Sequence, residues 1–305
     1  MPGKKLSIVA ALGAVTAVGV TTALALEVYH RPVELASGLA RLRLRALGAR
    51  EDVCEAGGLS IHYYRAGRGR EPVVMVHGLG GTAEGWATLI PMLSRDFLVY
   101  APDMPGFGRT PLAPGKQCIT THADYLGHFQ ETLGHSQIIL VGQSFGGWIA
   151  THYAATHPER IKRLYLLNSA GLMREGMFVP YTPDRAAAKK YIERMIDYRG
   201  PIPGFLLDAI VKISREPAYA DFIANYDRTE EVDEILPRIS VPTTIIWGTE
   251  DRIFPLRCAY DFREGIPNAR LILAPGVSHN TQIGAARMIA RIMREDARAS
   301  DSNAP

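Results

Sequence analysis

Residues 138–141, all apolar, run directly into Gly142-Gln143-Ser144-Phe145-Gly146-Gly147, and an apolar helical pattern takes over from Trp148. An apolar run this short suits a strand buried on both faces of a sheet. The helical pattern extends to His157 and stops before Pro158, which disfavours helical backbone in the residue preceding it. A strand that turns at once into a helix needs small residues at the join. Gly142 and Gly146 let the turn close and let the helix lie against the strand. The apex of the turn is a serine, the nucleophile-elbow pattern. With 29 glycines in 305 residues, Gly-x-Ser-x-Gly arises by chance roughly 0.1 times per chain, so the flanking strand and helix give the motif its weight.

The rest of the chain keeps the same rhythm. Residues 59–64, 72–76, 97–101, 161–167, 243–247 and 270–273 read as strands, and 86–93, 121–133, 256–264 and 281–293 as helices. Strands alternating with helices imply a mostly parallel sheet covered on both faces, here α/β with eight strands. Ligands in such sheets bind beyond the carboxyl ends of the strands. Residues 173–239 break the rhythm. Thr182-Pro183-Asp184 reads as a capped helix start, residues 205–213 and 219–226 as further short helices, and Tyr191, Ile192, Met195 and Ile196 as an apolar stripe. The expected organisation is a core of 51–172 and 241–297, a helical cap of 173–240 between strands six and seven, and a disordered tail of 298–305.

The N-terminus differs in composition. Lys4 and Lys5 precede residues 6–26, which contain no charge and would span about 31 Å as a helix, enough for a bilayer core. The expectation is a single-pass membrane anchor within residues 1–30, in a bacterial inner membrane with the remaining chain outside the cytoplasm. A cleaved signal peptide, leaving a periplasmic or secreted protein, is the alternative. Residues 31–50 read either as a linker or as a basic amphipathic helix. A net charge of +3 and the lack of an aromatic-basic stripe argue against nucleic acid as a partner. Cys54, Cys118 and Cys258, odd in number and far apart, provide neither a disulfide framework nor a metal pair.

A serine nucleophile needs a base within reach, and the base needs an orienting carboxylate. Of nine histidines, His279 follows the last strand on a loop at the carboxyl edge. His62 falls within a strand, and His122, His128, His152 and His157 fall on helices. Asp251, in Trp247-Gly248-Thr249-Glu250-Asp251, follows the preceding strand, with Glu250 as the alternative acid. The chain order Ser144, Asp251, His279 is one of three known orders for this constellation. The negative oxygen of an acyl-transfer transition state needs fixed donors. The backbone N–H groups of Phe145 and of Leu79, in His77-Gly78-Leu79-Gly80-Gly81, are the candidates, with His77 expected to brace that loop. Gly78, Met173 and Trp148 are the candidate substrate contacts.

The residues assembled so far give the chain a resemblance. Over about residues 55–297 it resembles the α/β-hydrolases. Within that superfamily it is similar to membrane-anchored monoacylglycerol-lipase-like hydrolases and to bacterial lipase and esterase relatives. The matching pieces are His77-Gly78, Asp103-Met104-Pro105-Gly106, residues 142–147, Ala170-Gly171-Leu172, residues 241–248, Asp251 and His279. The chain departs from the pattern at the histidine, where Ser278 precedes and Gln282 follows. The resemblance implies ester hydrolysis through an acyl-enzyme, a lipid-type ester as small-molecule substrate, membrane attachment through residues 6–26, and no metal or organic cofactor. The same catalytic set also serves carbon–carbon bond hydrolysis of ring-cleavage products, and a non-catalytic membrane-tethered protein is the reading from outside enzymology.

Overall fold

A computed structural model describes residues 31–225 and 228–302. Its centre is an eight-stranded sheet. The strands are β1 (Arg50–Ala56), β2 (Leu59–Ala66), β3 (Pro72–Val76), β4 (Leu98–Pro102), β5 (Ile138–Gln143), β6 (Ile161–Leu167), β7 (Thr243–Gly248) and β8 (Arg270–Ala274). Their order across the sheet is β1-β2-β4-β3-β5-β6-β7-β8. β2 pairs antiparallel with both β1 and β4, and every other pairing is parallel. The strand that leads to the serine is therefore central, flanked by β3 and β6.

Alternation along the strands sorts the core into two layers. Val74, Val76, Leu140, Leu164, Leu166 and Ile245 face one side, under the helices α3 (Ile119–Leu133), α4 (Phe145–Thr156) and α8 (Leu256–Gly265). Val73, Met75, Val99, Ile139, Val141 and Leu167 face the other. That second layer is covered by the short helix α2 (Ile90–Leu93) and by α10 (Ala286–Ser302), whose Ala286, Ile289, Ala290 and Met293 recur at helical spacing. Between β6 and β7 the chain inserts α5 (Arg185–Met195), α6 (Gly204–Ser214) and α7 (Pro217–Ala224). Tyr219 and Phe222 of α7 join the first core layer, so the insertion is packed down onto the sheet's carboxyl edge.

Several boundaries differ from the sequence reading. β1 carries three acidic residues and buries only Ala56 fully, which hid it. The helix expected over 86–93 is a single turn at Ala83–Trp86 followed by α2, because Pro91 cannot donate the hydrogen bond of a continuous helix. The cap of α5 is Asp184, whose carboxylate accepts from the Ala187 N–H at 2.8 Å, rather than Thr182. The helix expected over 281–293 divides into α9 (Thr281–Gly284) and α10 at Ala285. Residues 298–302 continue α10 and are not a structureless tail.

Residues 32–46 form helix α1 (Pro32–Ala46), which lies on the protein. Leu44 is fully buried in the second core layer, and Glu34 pairs with Lys212 of α6 at 3.0 Å. The membrane-anchored localisation is corrected here. The anchor expected at residues 6–26 lies outside the described residues, and among the described residues no helix is long and apolar enough to cross a membrane. α1 has 15 residues and α10 has 17, short of the ~20 apolar residues a span requires, and both carry several charges.

Candidate active site

The elbow at the end of β5 is held by close backbone approach. A Cβ on Gly142 would stand 2.3 Å from the Gly146 carbonyl oxygen, and one on Gly146 would stand 2.1 Å from that of Val76. Neither position admits a side chain. The turn forces Ser144 to φ 54°, ψ −119°, a strained conformation for a residue with a side chain. Such strain persists only where the surroundings over-determine it. Here the Ser144 N–H donates to the Leu167 carbonyl at 3.0 Å, and its carbonyl accepts from Ala170 at 2.9 Å.

Asp251 and His279 follow β7 and β8 and meet behind the serine. His279 Nδ1–H donates to Asp251 Oδ2 at 2.8 Å, with both side chains buried. That bond assigns the proton to Nδ1 and leaves Nε2 as an acceptor. Burial pushes the Asp251 carboxyl up. The His279 ring, the Asn168 amide and the N–H groups of Ile253 (2.7 Å) and Phe254 (3.0 Å) outweigh it and hold the group below its usual range. Glu250 is exposed, and its carboxylate is bonded to Thr249. His279 and Ser144 line one chamber with no hydrogen bond between them. This contact is commonly loose in a free enzyme and tightens on substrate binding.

The loop after β3 is braced as expected. His77 Nδ1–H donates to the Gly78 carbonyl at 2.8 Å, and Nε2 accepts from Met104 N–H at 3.0 Å. Both nitrogens are engaged and burial keeps the ring neutral, so His77 has no free position from which to act as a base. Asp103 supports the same loop by accepting from Ala83 N–H (2.6 Å), Arg109 N–H (3.0 Å) and His62 Nδ1–H (2.8 Å). A Cβ at Gly78 would lie 2.6 Å from Gln143 Oε1, so a side chain there would have to displace the Gln143 amide. His122 is buried in the core, and His152 donates to the Glu230 carbonyl.

Two chambers meet at Ser144. One, of about 140 Å³, is lined by Leu79, Phe145, Trp148, Met173, Phe178 and Phe222, among others. The second, of about 220 Å³, includes Gly78, Leu79, Trp86, Thr182, His279 and Gln282. The candidates Ser144, His279, Leu79, Phe145, Gly78, Met173 and Trp148 thus all border this space, with Asp251 behind the histidine. Among the described residues no cluster of His, Cys, Asp and Glu is arranged to hold a metal ion.

Sequence reasoning missed Asn168. It is fully buried at the end of β6, donates to Asp251, and accepts from Gly248 N–H (3.1 Å) and from the Thr281 hydroxyl. It thereby ties the end of β6 to the end of β7 and to the first residue of α9, around Asp251 and His279. Its positive φ of 42° at a strand end is a trace that the letter sequence shows only as an asparagine after an apolar run.

Comparison with known proteins bears on the same residues. A family model described as alpha/beta hydrolase fold matches residues 71–199 and 208–286. The chain is 28% identical over 264 residues to 2-hydroxy-6-oxo-2,4-heptadienoate hydrolase of Pseudomonas putida strain F1, covering 81% of this chain and 95% of that protein. It is 26% identical over 235 residues to Lipase 1 of Psychrobacter immobilis, covering 68% and 71%. A crystal structure described as a membrane phospholipase A, a bacterial virulence factor, matches with a TM-score of 0.77 at 23% identity. The match covers 96% of this chain and 98% of that one, and at such identity the likeness is one of fold.

Proposed function

The chain belongs to the α/β-hydrolase family, and on that premise we propose that it is a serine carboxylic-ester hydrolase working through an acyl-enzyme. Ser144 Oγ attacks the ester carbonyl carbon while His279 Nε2 takes the hydroxyl proton. Asp251 keeps the ring oriented and stabilises its charged form. The N–H groups of Phe145 and Leu79 hold the oxygen that becomes negative. His279 returns the proton to the departing alcohol, and water then cleaves the acyl-enzyme by the same steps in reverse. The segment 173–240 acts as a cap whose Met173, Phe178 and Phe222 form the wall for an apolar acyl group.

One observation carries this choice of reaction. Among the described residues, neither chamber at Ser144 is lined by a lysine or an arginine. An uncharged ester enters such a space without penalty, whereas a buried carboxylate without a cation is costly. The second reading, carbon–carbon bond hydrolysis of a ring-cleavage product, is favoured by the 28% identical relative, whose name specifies a dienoate and hence a carboxylate.

The two readings separate in one assay series. The ester reading expects p-nitrophenyl butanoate to be hydrolysed, and kcat to fall by about 10⁴-fold or more in Ser144→Ala. A fluorophosphonate should label the wild type at Ser144. Conversion of a 2-hydroxy-6-oxo-dienoate, with no turnover of any ester, would transfer the assignment to the second reading.

A further inference from the structure

Next to the Ser144 chambers lies a cleft of about 500 Å³ between α1 and α6. Its rim is charged and exposed. Glu34 of α1 contributes to it, as do Asp208 and Lys212 of α6 and Glu216 just past that helix. Glu34 and Lys212 pair across the rim at 3.0 Å. Below the rim the wall turns apolar. Phe205, Ala209 and Ile213 follow one another at i, i+4 and i+8, which places them on one face of α6. Val33 of α1 and the buried Phe107 line the same space.

The cleft and the 220 Å³ chamber at Ser144 share four lining residues, Gly80, Gly81, Thr82 and Ile213. The two spaces are therefore neighbours, divided by one loop and one side chain. The contact between them is tight. A Cβ on Gly80 would stand 2.9 Å from Ile213 Cγ2 and 3.0 Å from the Tyr219 ring, and the φ of this glycine is 68°. A side chain here would be strained by the backbone and would crowd both neighbours. Gly80 also follows Leu79, the proposed oxyanion donor, in the chain. A molecule that passes between Gly80 and Ile213 thus arrives beside that donor and the serine.

The loop side of this constriction is held by the bonds of His77 and Asp103 described above. The other side is a single half-buried isoleucine at the end of α6. Within a helix an isoleucine is stiff about χ1, so its methyl groups set the width unless α6 itself shifts. α1 lies outside the residues that the family model matches, so the shared core alone does not supply this wall.

We propose that the cleft between α1 and α6 is the route by which substrate reaches Ser144, and that Ile213 against Gly80 sets the size of what passes. The route rests on the reading of Ser144 as the nucleophile, and serves it whichever bond is cleaved.

The test measures access to Ser144 directly, as the ratio of its labelling rates by a bulky dye-tagged alkyl fluorophosphonate and by the small diisopropyl fluorophosphate. Ala209 lines the cleft and neither chamber at Ser144. In Ala209→Cys, benzyl methanethiosulfonate places an aromatic group in the cleft and a reductant removes it, so one folded preparation supplies both states. Blocking should lower the bulky-to-small ratio about ten-fold or more, and reduction should restore it. Wild type treated alike accounts for reaction at Cys54 and Cys118. Val33→Trp, on the facing helix, should lower the same ratio without any reagent. Ile213→Ala should act in the opposite direction and raise it several-fold, which a general loss of folded protein cannot do. An unchanged ratio in the blocked protein, or a ratio lowered by Ile213→Ala, would overturn the route while leaving the nucleophile in place. No labelling of wild-type Ser144 by either reagent would instead overturn the reading of the nucleophile.

Discussion

His122 lies fully buried in α3, its ring edge-on to Phe145 at 5.2 Å, and neither ring nitrogen has a hydrogen-bond partner. Burial, with a smaller push from His77, lowers its pKa to about 3. In the unfolded chain it titrates near its ordinary value of ~6.5. Between these values the unfolded state binds the extra proton, so the folded state loses stability as pH falls from about 6.5 toward 3. Replacing His122 with Leu removes that group while keeping an apolar, helix-forming side chain. The melting temperature of the variant should therefore decline less than the wild type's between pH 6.5 and 4.5, by differential scanning calorimetry. Equal slopes would show that His122 is not the group responsible. Residues of this kind also mark how far a sequence can be read. Ser144, Asp251 and His279 were legible because each follows a strand and their order is recognisable. Asn168 was not, because its contacts exist only where separate segments meet.

At the scale of elements, the insertion is tied to the core through Arg174. Its guanidinium bonds Asp261 of α8 at 2.6 Å and also bonds Asp233, so one side chain joins the entry and exit of the inserted segment to the sheet's outer helix. The walls of both chambers include residues of this segment, such as Met173, Tyr191 and Phe222, whereas Ser144, Asp251 and His279 belong to the core. Loosening the tie should disturb binding more than chemistry. Arg174→Met should raise KM several-fold with a smaller change in kcat, and cost about 1–2 kcal/mol in urea unfolding. A fall in kcat at unchanged KM would mean that the tie serves the catalytic groups instead. The position of the insertion was legible from the interrupted strand–helix rhythm. Its helix starts were less so, since Asp184 and Thr182 are both good capping residues and only the backbone decides between them.

Across the whole molecule, the sheet exposes two faces that must both be covered, and α1 contributes to the second. Leu44 enters that layer at zero exposure, while the helix's polar links are Glu34 to Lys212, Arg41 to Glu84 at 3.9 Å and Arg45 to Glu51 at 2.8 Å. The sequence allowed a linker or a surface-seeking helix here, because an arginine-rich amphipathic pattern does not say which surface its apolar side meets. The magnitudes decide what holds the helix. Exposed ion pairs contribute about 0–1 kcal/mol each. A fully buried leucine truncated to alanine loses its transfer energy and leaves a cavity, a cost of about 2–5 kcal/mol. Leu44→Ala should therefore destabilise the protein by about that amount in urea unfolding, while Lys212→Met, which breaks the Glu34 pair, should cost less than about 1 kcal/mol. The reverse ranking would mean that α1 is held by its charges. The hydrophobic layer would then end at β1 and not at the helix.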